Sequence, residues 1–449
     1  MSLHEPVPPT REEVIAATSR PIPRALKTGS AALAVIGLLL WAAAFFLGGD
    51  TADGDRADRA WRAFHYNWLF FTIISSAAVM FVAAQRITTA RWSRPVVRFL
   101  EGYVAFLPAA WVLLALSVLV GRGHIFPWFD ERPPAHEKEI YLAPTFFTVR
   151  VLGVFLIITL LQLWFVRSSV RLDVGLLPEW GASWARGMRD GFRRAFREER
   201  REIFSTHSFQ GTLAVVMALV WGLGWSILSF DLSMGLDMHF QSTLYGWWSF
   251  MTGILGAVMS WQLLTMWWRR HLGAYSLITE NHLHDIGKLC FAFTAFWGYL
   301  TFSQFLIIWY GNMPEETHFM GERFRQPWIG FSFSLIFLCF LVPFLGLLSR
   351  TAKLYAPTMI FFAVVSLLGT WLQRYLEVYP SLYPTITVRP FGLPEIAAFL
   401  FFLGTWGLCY TSFMDAFPRM RVILMTSPFR DQVQVPYDPE SMEPLPAHE

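Results

Sequence analysis

Charge is scarce in this chain: Asp, Glu, Lys and Arg make up 15% of its 449 residues, against about 25% in a soluble domain. A water-exposed globular surface needs more than that. Cysteine is scarcer still. Cys290, Cys339 and Cys409 all fall inside apolar runs and form no CxxC or CxxCH, which argues against a covalent c-type haem and a cysteine-bound iron–sulfur cluster. A b-type haem between helices needs two histidines at similar depth. Only His65 and His207 lie in or beside apolar runs, and they fall near opposite ends. His282 and His284 form a close pair without a convincing further ligand set, so no metal site is expected there. No Walker loop, dinucleotide fingerprint, Ser/His/Asp order or zinc motif is present, which argues against a freestanding enzyme. Residues 1–27 are polar and the first apolar run has no small-residue cleavage site after it, so no secretory signal is expected.

What the chain does have is apolar length. Hydrophobic residues reach 54%, with 42 Phe and 21 Trp, a composition suited to lipid contact and interfacial belts. Ten runs, at 26–48, 63–84, 97–120, 144–166, 207–231, 244–268, 286–310, 328–349, 355–376 and 392–414, are each long enough to cross the membrane as helix, which takes roughly 20 residues. Arginines cluster in alternate connections: Arg20 and Arg24, then Arg86, Arg91 and Arg94, then Arg171 to Arg201, then Arg269, Arg270, Arg350, Arg419 and Arg421. The opposite connections carry Asp50, Asp53, Asp55, Asp130, Glu131, Glu137, Glu315 and Glu316. By the positive-inside rule both termini are cytoplasmic. The expected protein is therefore all-α and multi-pass: a tail at 1–25, a membrane domain at 26–415 and a second tail at 416–449. Within the long basic connection, at about 178–203, Trp180, Trp184, Met188, Phe192 and Phe196 recur every four residues between arginines. That spacing predicts an amphipathic helix on the membrane surface; a solvated basic connector is the alternative. The basic residues follow the topology, so nucleic-acid binding is not expected.

An internal repeat at an offset of 179 aligns Tyr66, Trp68, Phe71, Ala78 and Arg91 with Tyr245, Trp247, Phe250, Ala257 and Arg270. It would make spans two to five and six to nine two similarly oriented four-helix bundles, with one helix flanking at each end.

Charged groups inside a membrane are costly unless paired or hydrated, so the candidate functional residues are the polar ones at depth. Arg98 and Glu101 open span three, three residues apart. Glu101 is a candidate proton carrier, with a static ion pair as the alternative. Asp285 and Lys288 have the same spacing in span seven, and Tyr299 and Ser303 continue that face, with Gln304 beside it. This reads as a polar stripe suited to a hydrated proton half-path, with a structural ion pair and interhelical hydrogen bonds as the alternative. His207 stands at the inner end of span five. An outer polar cluster comprises His65, Arg150, Arg374 and, in the hairpin FDLSMGLDMHFQSTLYG at 230–246, Asp231 and His239. Asp231 or the acidic loop could neutralise Arg150.

Several stretches carry a family resemblance: NWLFF at 67–71, RFLEGYVAFLP at 98–108, FPWF at 126–129, YLAPTFFTVR at 141–150, the hairpin at 230–246, and HDIGKLCFAFTAFWGYLTFSQFLIIWYGNMPEET at 284–317. Through them the chain, from about 61 to 383, resembles the F subunit of bacterial alternative complex III, a relative of the NrfD-type membrane subunits. The resemblance implies ten helices in two four-helix bundles in the bacterial inner membrane. It implies membership of a complex that oxidises quinol and reduces a periplasmic cytochrome c-type acceptor. Implied partners are an NrfD-like C subunit, small membrane subunits, multihaem cytochrome c and iron–sulfur subunits, and a terminal oxidase. This subunit would carry no redox cofactor of its own and would contribute structure and a proton route. Relatives often place an acid where GTWLQRYL has Gln373, which puts a route through span nine in doubt. Two alternatives stay open: a subunit that binds quinone itself, and a secondary transporter.

Overall fold

The computed structural model describes residues 9–47, 56–130, 136–179, 181–383 and 390–430. The predicted acidic residues Asp50, Asp53, Asp55 and Glu131, the side chain of Glu137, and Trp180 lie outside the described residues. Among those described, the regular structure is helical with no strand. Ten helices are long and apolar enough to cross a membrane: Arg24–Phe46, Arg56–Ile87, Val97–Leu119, Pro144–Leu176, Glu199–Leu236, Leu244–Leu272, Glu280–Gly311, Ile329–Gly346, Ala356–Leu382 and Leu393–Ala416. The protein is a multi-pass membrane protein. Within hydrocarbon every peptide group must be paired internally, which only helices and closed barrels achieve.

Most helices run past the apolar stretch that announces them, because hydrogen bonding continues through the polar residues at the membrane edge. Span four extends to Leu176 and span five begins at Glu199. Their ends use familiar devices: Pro144 opens span four, Gly273 ends span six at φ +64, and Thr279 caps span seven with His282 Nδ1 accepting from its backbone N–H at 3.1 Å. His282 is thus part of a helix cap.

Span two is the hub. It packs against spans three, five, six, nine and ten, and its residues are buried along almost the whole length. Spans two to five contact one another in a closed ring, as do spans six to nine, and span one lies against span ten. Without a hydrophobic drive between helices in lipid, close packing and hydrogen bonds must hold them. Ser76 of span two accepts from the indoles of Trp221 and Trp225 at 2.8 and 2.9 Å, and its carbonyl accepts from Gln162 at 2.8 Å. Trp371 reaches Asn67 at 2.9 Å. Spans one and ten approach backbone to backbone, since a Cβ on Gly37 would collide with Phe401 and one on Gly404 with Ala34.

Two spans are irregular. Span three passes through a 3-10 turn at Gly102–Phe106 ahead of Pro108, and span eight through a π turn at Phe337–Leu341 ahead of Pro343. Under the 179-residue repeat span three corresponds to span seven, so the two breaks are not equivalent positions.

The flanking segments differ from the sequence reading. Residues 416–430 are not a free tail: Arg419 and Arg421 are buried and the short helix Val422–Thr426 packs under span four. Helix Arg11–Thr18 likewise sits against that segment, and the Arg419 guanidinium donates to the Thr18 carbonyl at 3.0 Å. Burial pushes Arg419 down to about 10. The expected single amphipathic helix at about 178–203 is broken as well. A helix at Arg186–Arg194 is followed by a bend, and the residues from Glu199 onward belong to span five. Phe192 is buried while Trp184 and Met188 are exposed. Arg189 is turned inward, donating to the carbonyls of Ala182, Ala416 and Gly181, which tethers the segment to the end of span ten.

Candidate functional site: buried ionic clusters at both ends of the bundle

At the face carrying the described N- and C-terminal segments, Arg98, Glu101 and Asp173 are at most 1% exposed. Arg98 Nη1 lies 2.6 Å from Glu101 Oε2, and its Nη2 pairs with Asp173. Arg421, from the returning C-terminal segment, pairs with the other Glu101 oxygen. Ser169 donates to Glu101 at 3.2 Å, and the backbone N–H of Ile423 donates to Asp173 at 2.9 Å. Two basic side chains face two acidic ones, and each carboxylate has a guanidinium and a further donor.

At the opposite face, Glu377 of span nine is the centre of a second cluster. It accepts from Arg374 at 2.7 Å, Gln373 at 2.9 Å and Ser233 at 2.8 Å. Ser233 is also hydrogen-bonded to the Tyr245 hydroxyl. Arg374 is held by the Ser249 hydroxyl and carbonyl, both at 2.8 Å, and Gln373 accepts from Thr252 and Trp297 at 3.0 and 2.8 Å. Arg323 closes the cluster by donating to the Glu377 carbonyl at 3.2 Å and to Ser381 at 2.9 Å. Burial pushes its guanidinium down to about 10. Beside it, Arg59 grips Glu395 at 2.8 and 3.1 Å, with the Tyr379 hydroxyl donating to the same carboxylate at 2.5 Å.

The outer hairpin, which supplies Ser233 and Tyr245 to the Glu377 cluster, is also anchored to spans two and four. Arg150 makes a two-pronged bond to Asp231, both distances 2.8 Å, the neutralisation suggested from sequence. The guanidinium lies over the Tyr141 ring at 3.8 Å. Nε2–H of His65 donates to the Leu232 carbonyl at 2.7 Å, and Lys138 holds the hairpin through the Met238 carbonyl at 2.7 Å.

A scan against protein-family models and a search of curated proteins found no match to this chain.

The site residues read from the sequence fall into three groups. Arg98 and Glu101 meet as expected, and Arg150 meets Asp231. Within the predicted outer cluster, however, Arg374 pairs with Glu377 while Arg150 pairs with Asp231, and His239 is exposed. The polar stripe on span seven also separates. Lys288 and Tyr299 face outward, whereas Gln304 faces inward and exchanges hydrogen bonds with Ser242 at 2.9 and 3.1 Å. Ser303 is half-buried. Asp285 pairs with Lys288 at 2.6 Å, with 58% of the lysine side chain exposed, so this pair is peripheral. The helix turns its Leu283, Ile286, Cys290, Thr294 and Trp297 face to the core instead. His207 is half-buried, and its carbonyl accepts from Arg86 at 2.7 Å.

Asp173, Arg421, Glu377 and Glu395 were not among the predicted site residues. Asp173 and Glu377 lie just beyond apolar runs ending at 166 and 376, in turns that are still helical. Arg374 and Glu377 repeat the three-residue spacing of Arg98 and Glu101, a signal available in the sequence.

Asp231→Ala should destabilise the protein by about 3–5 kcal/mol, because it leaves the largely buried Arg150 side chain without its carboxylate. Thermal denaturation in detergent measures this.

Proposed function

We propose that this chain is an integral membrane subunit of a quinol:cytochrome c oxidoreductase of the alternative complex III type, without a redox centre of its own. It supports quinol oxidation by partner subunits and supplies part of a proton route, in a bacterial inner membrane with both termini cytoplasmic. The observation that carries the reading is the pair of buried ionic clusters at opposite ends of the membrane helices. Each centres on a carboxylate, Glu101 or Glu377, that several donors hold at once. Ionisable residues at such depth are rare unless they move ions or protons or brace the fold. At Glu377 the hydroxyls of Ser233 and Tyr245 form a hydrogen-bonded chain, the kind of arrangement that relays protons. The motif resemblance over spans two to nine adds the quinol chemistry and the partners.

The test is purification from native membrane. Multihaem cytochrome and iron–sulfur subunits should copurify, and the separated chain should show no stoichiometric haem band. A lone chain, or one retaining haem, would sink the reading. Orientation is tested by labelling in sealed cells of a cysteine-free background. Ser183→Cys should react only from the cytoplasmic side and Gly123→Cys only from outside; both positions are exposed. Same-side labelling would overturn the topology.

A second reading, quinone binding by this chain itself, is favoured by one observation. An apolar cavity of about 670 Å³ lies between spans six, seven, eight and nine, with Tyr245, Trp297, Phe305, Phe319 and Glu377 in its wall. A photoreactive quinone analogue should then label the Phe305 region, and absence of labelling in the active complex would exclude it.

A further inference from the structure

At the face carrying the described terminal segments, the ends of spans two and five and the returning C-terminal segment enclose a cavity of about 70 Å³. That is room for several waters or one tetrahedral oxyanion. Arg86, Arg94 and Arg421 reach it, and no carboxylate lines it among the described residues. Gln85 is 8% exposed, and both polar atoms of its side-chain amide lack a partner. Nε2 of His207 and Nε of Arg421 are buried at the same place, also without a partner. Buried polar groups in folded proteins are almost always satisfied, yet here the unsatisfied atoms of three side chains line one void.

Charge points the same way. In the neighbouring cluster Arg98 and Arg421 balance Glu101 and Asp173. Arg86 lies outside that balance, and its Nη2 donates only to a backbone carbonyl, that of His207. Among the described residues the site thus offers positive charge and donors but no carboxylate. Guanidinium forks match the oxygens of phosphate, and basic pockets between membrane helices at headgroup level suit phosphorylated headgroups.

We propose that this cavity binds a phosphate oxyanion, with Arg86, Arg421, Gln85 and His207 as its ligands. The same oxyanion is offered by a phospholipid headgroup and by free phosphate.

The experiment uses the full chain, purified and delipidated in detergent. Its thermal midpoint is followed against inorganic phosphate, with chloride at equal ionic strength as control, and against phosphatidylglycerol, with diacylglycerol as control. Native mass spectrometry counts retained phospholipid. Protection by phosphatidylglycerol with retained lipid identifies a headgroup site, and protection by inorganic phosphate alone identifies a soluble anion site. Either result supports the proposal, and protection by neither overturns it. Arg86→Gln should weaken the protecting ligand about tenfold or more, while Arg270→Gln, an exposed arginine on span six, should leave it unchanged. If Arg86→Gln does not accumulate, Gln85→Leu decides. In a void without a ligand, replacing an unpaired amide by an alkyl group leaves the midpoint unchanged or raises it. In an oxyanion site it abolishes the phosphate-dependent rise. A rise that persists unchanged in Gln85→Leu overturns the proposal.

Discussion

Under the proposed function, Glu101→Gln is expected to leave the complex assembled and quinol oxidation largely intact, and to reduce proton translocation measured in sealed vesicles. Glutamine keeps the volume and one acceptor oxygen of Glu101, so Ser169 and one of the two arginines retain a partner. It cannot carry a proton on and off. The positive charge left over falls on Arg421, whose carboxylate it was, and Asp173 still answers Arg98. Glu101→Ala removes the acceptor as well, leaving two buried arginines against one aspartate. Breaking a buried pair in this way costs about 3–5 kcal/mol, so that variant should fail to accumulate or lose its thermal transition in detergent. Asp285→Asn serves as the control. The Asp285 side chain is 29% exposed and its partner Lys288 58%, and such pairs are worth about 0–1 kcal/mol. Stability and coupling should both survive. If Glu101→Gln also keeps full proton-to-electron coupling, the inner cluster is a brace and the proton route through it must be abandoned.

Glu377→Ala should produce the largest loss of stability at the opposite face. Arg374 and Glu377 are each 1% exposed, and the glutamate side chain is the acceptor for Arg374, Gln373 and Ser233. Removing it leaves a buried guanidinium held only by Ser249 and an amide and a hydroxyl each short of an acceptor. The expected cost is about 3–5 kcal/mol, seen as a lowered thermal midpoint in detergent. Arg374→Ala should cost a similar amount. The double variant Arg374→Met with Glu377→Leu should be less damaging than either single change, because it removes both charges together. A single-variant loss below about 1 kcal/mol would mean that water reaches the pair.

The difference between Glu101 and Glu377 shows what was legible. Glu101 stands within a long apolar run, near its start, with Arg98 three residues before it, and both features survive in one dimension. Glu377 stands one residue beyond the run ending at 376, so hydropathy assigned it to a connection although the helix continues to Leu382. Asp173 was hidden in the same way, beneath an arginine-rich connection. Arg421 could not be found from local pattern at all. It is 320 residues from Glu101, and what brings them together is the packing of residues 416–430 back under span four. The span-seven stripe misled for a related reason. In water the polar face of a helix is the outer one and declares itself by periodicity. In lipid, residues are apolar on both faces, so spacing indicates which residues share a face but not which way that face turns.

The sequence by itself determined the number of spans and their helical class, because the cost of an unpaired peptide group in hydrocarbon leaves long apolar runs few other structures. It also determined the close ion pairs set by three-residue spacing. Only the tertiary structure decided which polar residues point inward, how Asp173 and Arg421 complete the Glu101 cluster, and how Ser233 and Gln373 join the Arg374–Glu377 pair. Those outcomes depend on how each helix is rotated about its axis. That rotation is set by contacts with several other helices at once, such as the indoles on Ser76 and the glycine contacts between spans one and ten, and no local stretch of sequence contains them.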